Sequence, residues 1–300
     1  IGTQDGTIEA GTVVIATGPY QQRAIPAIGA EIPADIFQIH SSRYRNPDQL
    51  PAGAILVVGA GSSGCQITED LIQSGRRVYL CVGRHRRVPR CYRGRDFAWW
   101  GGPMGSWDQT VDTLPSPPAK NDLGPLLTPA NGGHDVDLRR MAADGVTLLG
   151  RVQGIAGSRL IIADDLQKNL ADGDLSFSNY KKLVDKYVSK AGLTFPEETS
   201  SRHGAAEPEE VLRPIREVDL KAAGISSIVW ATGFRSDYDW VKLPIFDDDG
   251  MPVHKRGATN FPGIYFIGIR WLYKRKSHFM ANAGPAEDAA YIAEQIMVRS

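Results

Sequence analysis

Cysteine is scarce in this 300-residue chain: Cys65, Cys81 and Cys91 are the only three, and no two form a C-x-x-C pair. That spacing excludes a disulfide framework, a zinc site and a redox dithiol as sequence readings, and it suits a reducing cytoplasm. Long apolar runs are also missing; none approaches the ~20 residues that cross a bilayer. Neither sign of charge is in excess, with 34 basic and 34 acidic side chains, which argues against a nucleic-acid surface. The basic cluster from Arg84 to Arg95 is local enough to be one phosphate site and a solvated loop. Solenoid repeats, heptads and low-complexity tracts do not occur. What remains, 42% hydrophobic and 23% charged residues, is an ordinary globular profile with material for two domains or one domain carrying an insertion.

The most informative stretch is Ala54 to Gly64, an apolar run that ends in G-x-G-x-x-G. Ile55 to Val58 reads as a strand buried on both faces. Gly59 allows the tight turn after it, Gly61 lets backbone approach a pyrophosphate, and Gly64 lets the next helix pack on the strand. Ala60, Ser62 and Ser63 complete the loop. The helix is expected to run through Gln66, Ile67, Leu71 and Ile72 and to stop at Gly75, its free N–H groups and dipole facing phosphate. Val78 to Val82 is a second buried strand. A protein built for NAD would place a carboxylate at its end for the ribose hydroxyls. Gly83 and Arg84 stand there instead, with Arg86 and Arg87 beyond. Guanidinium groups suit a 2′-phosphate, so the motif points to NADPH, with Arg84 and Arg87 as its contacts.

Elsewhere the order of elements is that of a nucleotide-binding α/β protein. Residues 7 to 18 read as a strand pair ending in Ala16-Thr17-Gly18, and the signature returns where Ser227 to Trp230 leads into Ala231-Thr232-Gly233. The carboxyl ends of strands are where nucleotides bind in open α/β sheets. Gly29 to Gly53, with His40, Tyr44 and Pro47, reads as a connector between nucleotide domains. From Tyr92 to Asn131 the chain reads as an irregular insertion. Its Trp99, Trp100 and Trp107 read as that insertion's own core, with a binding wall as the alternative.

Strands are expected at Val146 to Leu149, Val152 to Ile155 and Leu160 to Ile162, the last two joined by a turn at Gly157-Ser158. A helix capped by Asp164 or Asp165 should follow, interrupted near Gly173 and stopped by Gly192. Glu197 to Glu210 reads as an exposed loop. A strand ending at Gly268 and a final helix from Pro285 to Ile296 close the pattern.

On these residues the chain resembles the flavin-containing monooxygenases, and more narrowly their bacterial CzcO-like relatives. Thr12 to Pro26 and Trp230 to Phe234 resemble that family's two A-T-G segments, Gly59 to Gly64 its NADPH fingerprint, Arg84 to Asp96 its 2′-phosphate loop, and Pro262 to Gly268 the strand that approaches the flavin. The resemblance implies a Rossmann-like α/β flavoprotein with two dinucleotide-binding domains. It implies a division into 1–50, the remainder of an FAD-binding domain and linker; 51–225, an NADPH-binding domain with an insertion over about 92–200; and 226–300, a return to the FAD-binding domain. It implies hydride transfer from NADPH to FAD and then transfer of oxygen from O2 to a small organic substrate at nitrogen or sulfur. Ala16, Thr17, Gly18, Ala231, Thr232, Gly233 and Gly268 would line the cofactors.

Two departures bear on this. Only one G-x-G-x-x-G exists, and its surroundings are those of the NADPH site, so the first FAD βαβ unit is absent. Ile1 lies in no signal or transit peptide, and the chain is expected to begin in mid-domain, as a fragment that holds FAD poorly alone. The monooxygenase fingerprint F-x-G-x-x-x-H-x-x-x-[YW] keeps His40 and Tyr44, but Ala34 and Ile36 replace its phenylalanine and glycine. An NADPH reductase or oxidase without oxygen transfer, and a non-catalytic NADPH-binding fragment, stand as alternatives. No catalytic residue is assigned; His40 is the one polar candidate, its plainer reading a histidine bonded to backbone. Homo-oligomerisation is left open.

Overall fold

The computed structural model describes residues 1–114, 123–197, 206–277 and 284–299. It divides into two compact units, one comprising Arg23–Trp100 and Leu123–Gly233, the other Ile1–Gln22, Gly101–Asp122 and Phe234–Ser300. The divisions expected at 50 and 225 therefore lie at 22 and 233. The reason is that two segments assigned elsewhere are strands of the larger unit's sheet.

That sheet contains β1 (Phe37–His40), β2 (Ala54–Val58), β3 (Val78–Cys81), β4 (Thr147–Leu149) and β8 (Ile225–Trp230). They lie in the order β4-β3-β2-β8-β1, and every pairing is parallel. The expected connector thus contributes the edge strand β1, and β8 is central, with Val229 opposite both Val57 and Ile39. All five residues of β2 are buried, as a strand covered on both faces requires. Its alternate side chains divide between two cores. Ile55 and Val57 pack with Cys65, Leu71, Leu166 and Leu170, which belong to helices α1 (Ser62–Gln73) and α3 (Leu166–Lys190). Ala54, Leu56 and Val58 pack with Leu160, Ile162 and Val218. These come from a three-stranded antiparallel sheet of β5 (Val152–Ala156), β6 (Arg159–Ile162) and β7 (Glu217–Asp219). Helices therefore cover one face of the parallel sheet and a second sheet covers the other.

Three expectations for this unit are corrected. Residues 92–200 are not one insertion, because they supply β4, β5, β6, α3 and the short helix α2 (Leu138–Ala143). Helix α3 runs unbroken through Gly173, which serves close packing: a Cβ there would lie 2.4 Å from His85 Nε2. Asp165 occupies the N-cap of α3 without capping it; its carboxylate accepts from Arg151 N and Arg151 Nε instead. The helix does end as expected, with Ala191 as C-cap and Gly192 at φ 61°. Of the expected loop at 197–210, residues 198–205 lie outside the described residues, and Glu209–Leu212 is a helical turn. Trp100 is fully buried against Phe195, with centroids 4.9 Å apart, and donates to Tyr92 O. It packs as core, whereas Trp99 is half exposed beneath the Arg95 guanidinium.

In the smaller unit the strand Val13–Ile15 pairs in parallel with β11 (Ile264–Phe266), which continues antiparallel into β10 (Ala258–Thr259) and β9 (His254–Lys255). The expected pairing within residues 7 to 18 is not formed, since Gly6–Thr7 pairs with Gly2–Thr3. The partner of Val13–Ile15 comes from a segment some 250 residues away, beyond the reach of local pattern. The close approach is permitted by Gly263, where a Cβ would sit 2.5 Å from Gly11 O. Ile15, Tyr238, Ile245, Phe266, Ile269 and Leu272 form the core, and helix α4 (Gly284–Arg299) ends the chain. Trp107 belongs here, its indole filling the space that a Cβ on Gly101 would need. Among the described residues no helix is long and apolar enough to cross a membrane.

Candidate functional site

The G-x-G-x-x-G turn leaves β2 at the carboxyl edge of the parallel sheet, beside the end of β8. From β2 the chain runs through β3 to β4 on one side, while β8 and β1 lie on the other. The turn therefore sits where strand order reverses, and crevices at such points bind ligands in open α/β sheets. Its three glycines do different work. Gly59 has φ 108°, and a Cβ there would lie 2.5 Å from Ala231 O; a Cβ on Gly64 would lie 1.8 Å from Gly59 O. Both are required by packing. Gly61 is exposed, and a Cβ on it would meet nothing within 4 Å among the described residues. It is the N-cap residue of α1, and no side chain caps the helix, so first-turn N–H groups are presented at an open surface. That is the geometry that takes a phosphate.

A segment missed in the sequence flanks this helix. Ser62 Oγ donates to Pro125 O and accepts from Leu127 N, both at 3.2 Å; Gln66 Nε2 donates to Leu127 O; and His134 Nε2 meets Glu69 Oε1 at 2.8 Å. The signal, in hindsight, is the spacing of Ser62, Gln66 and Glu69, polar side chains along one edge of α1. Ser62 is thus engaged by protein, while Ser63 is exposed and Ala60 is core.

Beyond β3 the basic residues separate. Arg84 is exposed at the strand's carboxyl end. Arg87, expected to contact phosphate, is only 8% exposed. Its Nε donates to Val136 O, its Nη groups meet Asp137 at 2.9 Å and Asp174 at 2.5 Å, and it lies over Phe177. Two carboxylates and a carbonyl satisfy the guanidinium, so Arg87 is an internal tie and does not present itself to a ligand. His85 is turned inward between these arginines, with Nδ1 on Gly83 O and a buried Nε2 without a hydrogen-bond partner among the described residues. Burial holds its pKa below the ordinary value.

Ala231-Thr232-Gly233 ends β8 next to the glycine turn, as Ala231 N donates to Val58 O. Thr232 Oγ1 donates to Ala24 O, and Gly233 O accepts from His40 Nε2 at 2.9 Å. His40 Nδ1 accepts from Ser42 N, which assigns the neutral Nε2–H tautomer. Burial lowers its pKa against the opposing pull of the Gly233 carbonyl. The ring is a clamp between β1 and β8, the plainer of the two readings given to it. Tyr44 Oη donates to Asp70 of α1. Ile36, at the glycine position of the monooxygenase fingerprint, is a buried core residue.

The remaining expected residues, Ala16, Thr17, Gly18 and Gly268, belong to the smaller unit, at the ends of the paired strands Val13–Ile15 and β11. Gly18 has φ 70° and Gly268 φ 75°, and at neither would a Cβ meet an atom within 4 Å. All three cysteines are free, and burial pushes the Cys65 and Cys81 thiols up to about 12, far from the thiolate that disulfide exchange needs. Among the described residues no group of His, Cys, Asp and Glu could hold a metal ion.

Residues 1–91 match the family model described as pyridine nucleotide-disulphide oxidoreductase. An uncharacterized CzcO-like oxidoreductase of Geobacillus kaustophilus is 28% identical over 99% of this chain and 68% of its own length. An uncharacterized oxidoreductase CzcO of Bacillus subtilis is 27% identical over 95% of this chain and 64% of its own. The chain thus spans about two thirds of the length of these relatives. Among solved structures, a flavin monooxygenase mutant from Stenotrophomonas maltophilia superposes with a TM-score of 0.53 over 98% of this chain and 64% of its own, at 16% identity. That likeness is one of fold.

Proposed function

We propose, from the chain's similarity to CzcO-like oxidoreductases and the match of residues 1–91 to the pyridine nucleotide-disulphide oxidoreductase model, that its larger unit binds NADPH in a flavoprotein monooxygenase. The observation that carries this reading is the uncapped N-terminus of α1, with Gly61 facing open space and Arg84 exposed at the end of β3. The helix terminus receives the pyrophosphate through backbone N–H groups, and Arg84 receives the 2′-phosphate. His85 and Arg87 position the loop that carries Arg84. The proposed second cofactor is FAD, with Ala16 to Gly18 and Gly268 as lining; the one G-x-G-x-x-G of this chain is committed to NADPH. When bound, the two groups supply hydride transfer from nicotinamide to flavin and, with O2, oxygenation of a small nitrogen or sulfur nucleophile.

Calorimetric titration tests the site. Gly61→Ala is expected to weaken NADPH with little change in thermal midpoint, since its methyl group occupies only the space reserved for phosphate. Arg84→Ala should cost NADPH about 1.5–3 kcal/mol and NADH little. Unaltered titration of the first variant, or equal losses for both nucleotides in the second, would remove the assignment. A second reading, NADPH oxidation without oxygen transfer, is favoured by Ile36 and His40, the first spent on the core and the second on a backbone carbonyl. Oxygen consumed without oxygenated product from a nitrogen or sulfur nucleophile would select it.

A further inference from the structure

The ends of β3 and β4 are bound together, Leu149 opposite Cys81 and Val82 N donating to Leu149 O. The residues that follow, Gly83 on one strand and Gly150-Arg151 on the other, are therefore neighbours. Arg151 lies over Gly83: the space of a Cβ there is bounded by Arg151 Cγ at 3.4 Å and Cδ at 3.5 Å. Gly83 stands where a carboxylate would read the ribose in an NAD site. A longer side chain there would collide with the arginine stem.

The placement of Arg151 is built. Asp165 accepts from Arg151 N at 3.0 Å through Oδ1 and from Arg151 Nε at 2.5 Å through Oδ2. This carboxylate gives up the capping of α3 to do so. Burial raises its pKa, but the hydrogen bonds from Arg151 outweigh that and hold it below the ordinary carboxylate value. Gly150 makes room, since a Cβ on it would lie 2.1 Å from Ala163 O and 2.8 Å from Asp165 Oδ1. The Arg151 side chain is nevertheless 63% exposed. Among the described residues only Nε is held, and the two Nη groups remain to form the fork that grips a phosphate.

We infer that Arg151 is a specificity-determining residue, a second cationic contact for the 2′-phosphate, held over Gly83 by Asp165. The inference deepens the NADPH reading and rests on it. Cofactor choice is then set by two arginines from adjacent strand ends, Arg84 and Arg151, with Gly83 as the clearance between them.

The test is calorimetric titration of the whole chain with NADPH, NADH, adenosine 2′,5′-bisphosphate and adenosine 5′-monophosphate. Arg151→Met keeps the aliphatic stem on Gly83 and removes the charge. It is expected to weaken NADPH and the bisphosphate about tenfold or more, and to leave NADH and the monophosphate within about twofold. Arg151→Lys keeps stem and charge without the fork and should fall between, which guards against a folding defect in the methionine variant. Asp165→Asn loosens the guanidinium and should shift the NADPH to NADH affinity ratio in the same direction. Parallel changes for phosphorylated and unphosphorylated ligands, or none, would reduce Arg151 to a surface ion pair while leaving the NADPH reading intact. A wild-type chain that titrates with neither NADPH nor NADH would overturn both.

Discussion

The same three residues, Ala-Thr-Gly, close a strand in each unit, and they end in different circumstances. In both the glycine is left-handed, Gly18 at φ 70° and Gly233 at φ 81°. At residues 231–233 the turn follows a central strand and is fastened to its unit, through Val58 O, Ala24 O and His40. At residues 16–18 the turn follows the edge strand Val13–Ile15. Its side-chain contact there is local, as Gln21 Nε2 donates to Thr17 Oγ1 and Gly18 O, both at 2.8 Å, and Ala16 and Thr17 are exposed. A short motif specifies a backbone turn. Strand position decides whether that turn is a fixed wall or an open one.

The sharpest way to break the contrast is steric. Gly64→Ala drives a methyl group into Gly59 O at the fastened end, and should cost about 3 kcal/mol or more, read as a large fall in thermal midpoint. Gly18→Ala meets no atom and pays only left-handed strain, about 1 kcal/mol. Comparable losses in the two variants would contradict the difference drawn between the turns. Next comes the clamp: His40→Ala removes one of the two donors to the Gly233 carbonyl, Ala24 N being the other, and should cost about 1 kcal/mol in denaturant unfolding.

Acid should act on the fastened side as well. His40 and His85 in the larger unit and His254 in the smaller are held below the usual 6.5, burial being the first cause in each. Below that pH the unfolded chain takes up protons that the folded chain refuses. Stability is therefore full above about pH 6.5 and declines as pH falls toward the depressed values. Asp108, Asp165 and Glu287, all held low, contribute only under more acid conditions. A thermal midpoint flat from pH 7.5 to 5.5 would exclude the histidine effect. The smallest change expected is Gln21→Ala, under about 1 kcal/mol, since its bonds are exposed or half-buried at an edge.

Local pattern was enough for the glycine turn, α1 with its stop at Gly75, the strands on either side and the hairpin of β5 and β6, because period, glycine placement and short-range turns are encoded within about thirty residues. The position of Gly83 and Arg84 just beyond the end of β3 was equally legible, since it follows a recognisable strand. Partners distant in sequence were not. Phe37–His40 has four residues and a polar neighbourhood, so nothing local shows that it pairs with Ile225–Trp230. Gly173 reads as a break by propensity, yet it is a buried residue inside an unbroken helix, and its missing Cβ makes room for His85.

Charge was the least decidable feature. Arg84, Arg87 and Arg151 are alike as letters. Only the fold buries Arg87 between Asp137 and Asp174, leaves Arg84 exposed, and sets Arg151 over Gly83 with Asp165 behind it. The sequence by itself determined the glycine turn and the start of α1, because backbone conformation and residue type settle them locally. Tertiary structure alone decided which guanidinium groups are spent inside the protein and which are exposed, because a cation's role depends on which carboxylates the chain brings to it from far away.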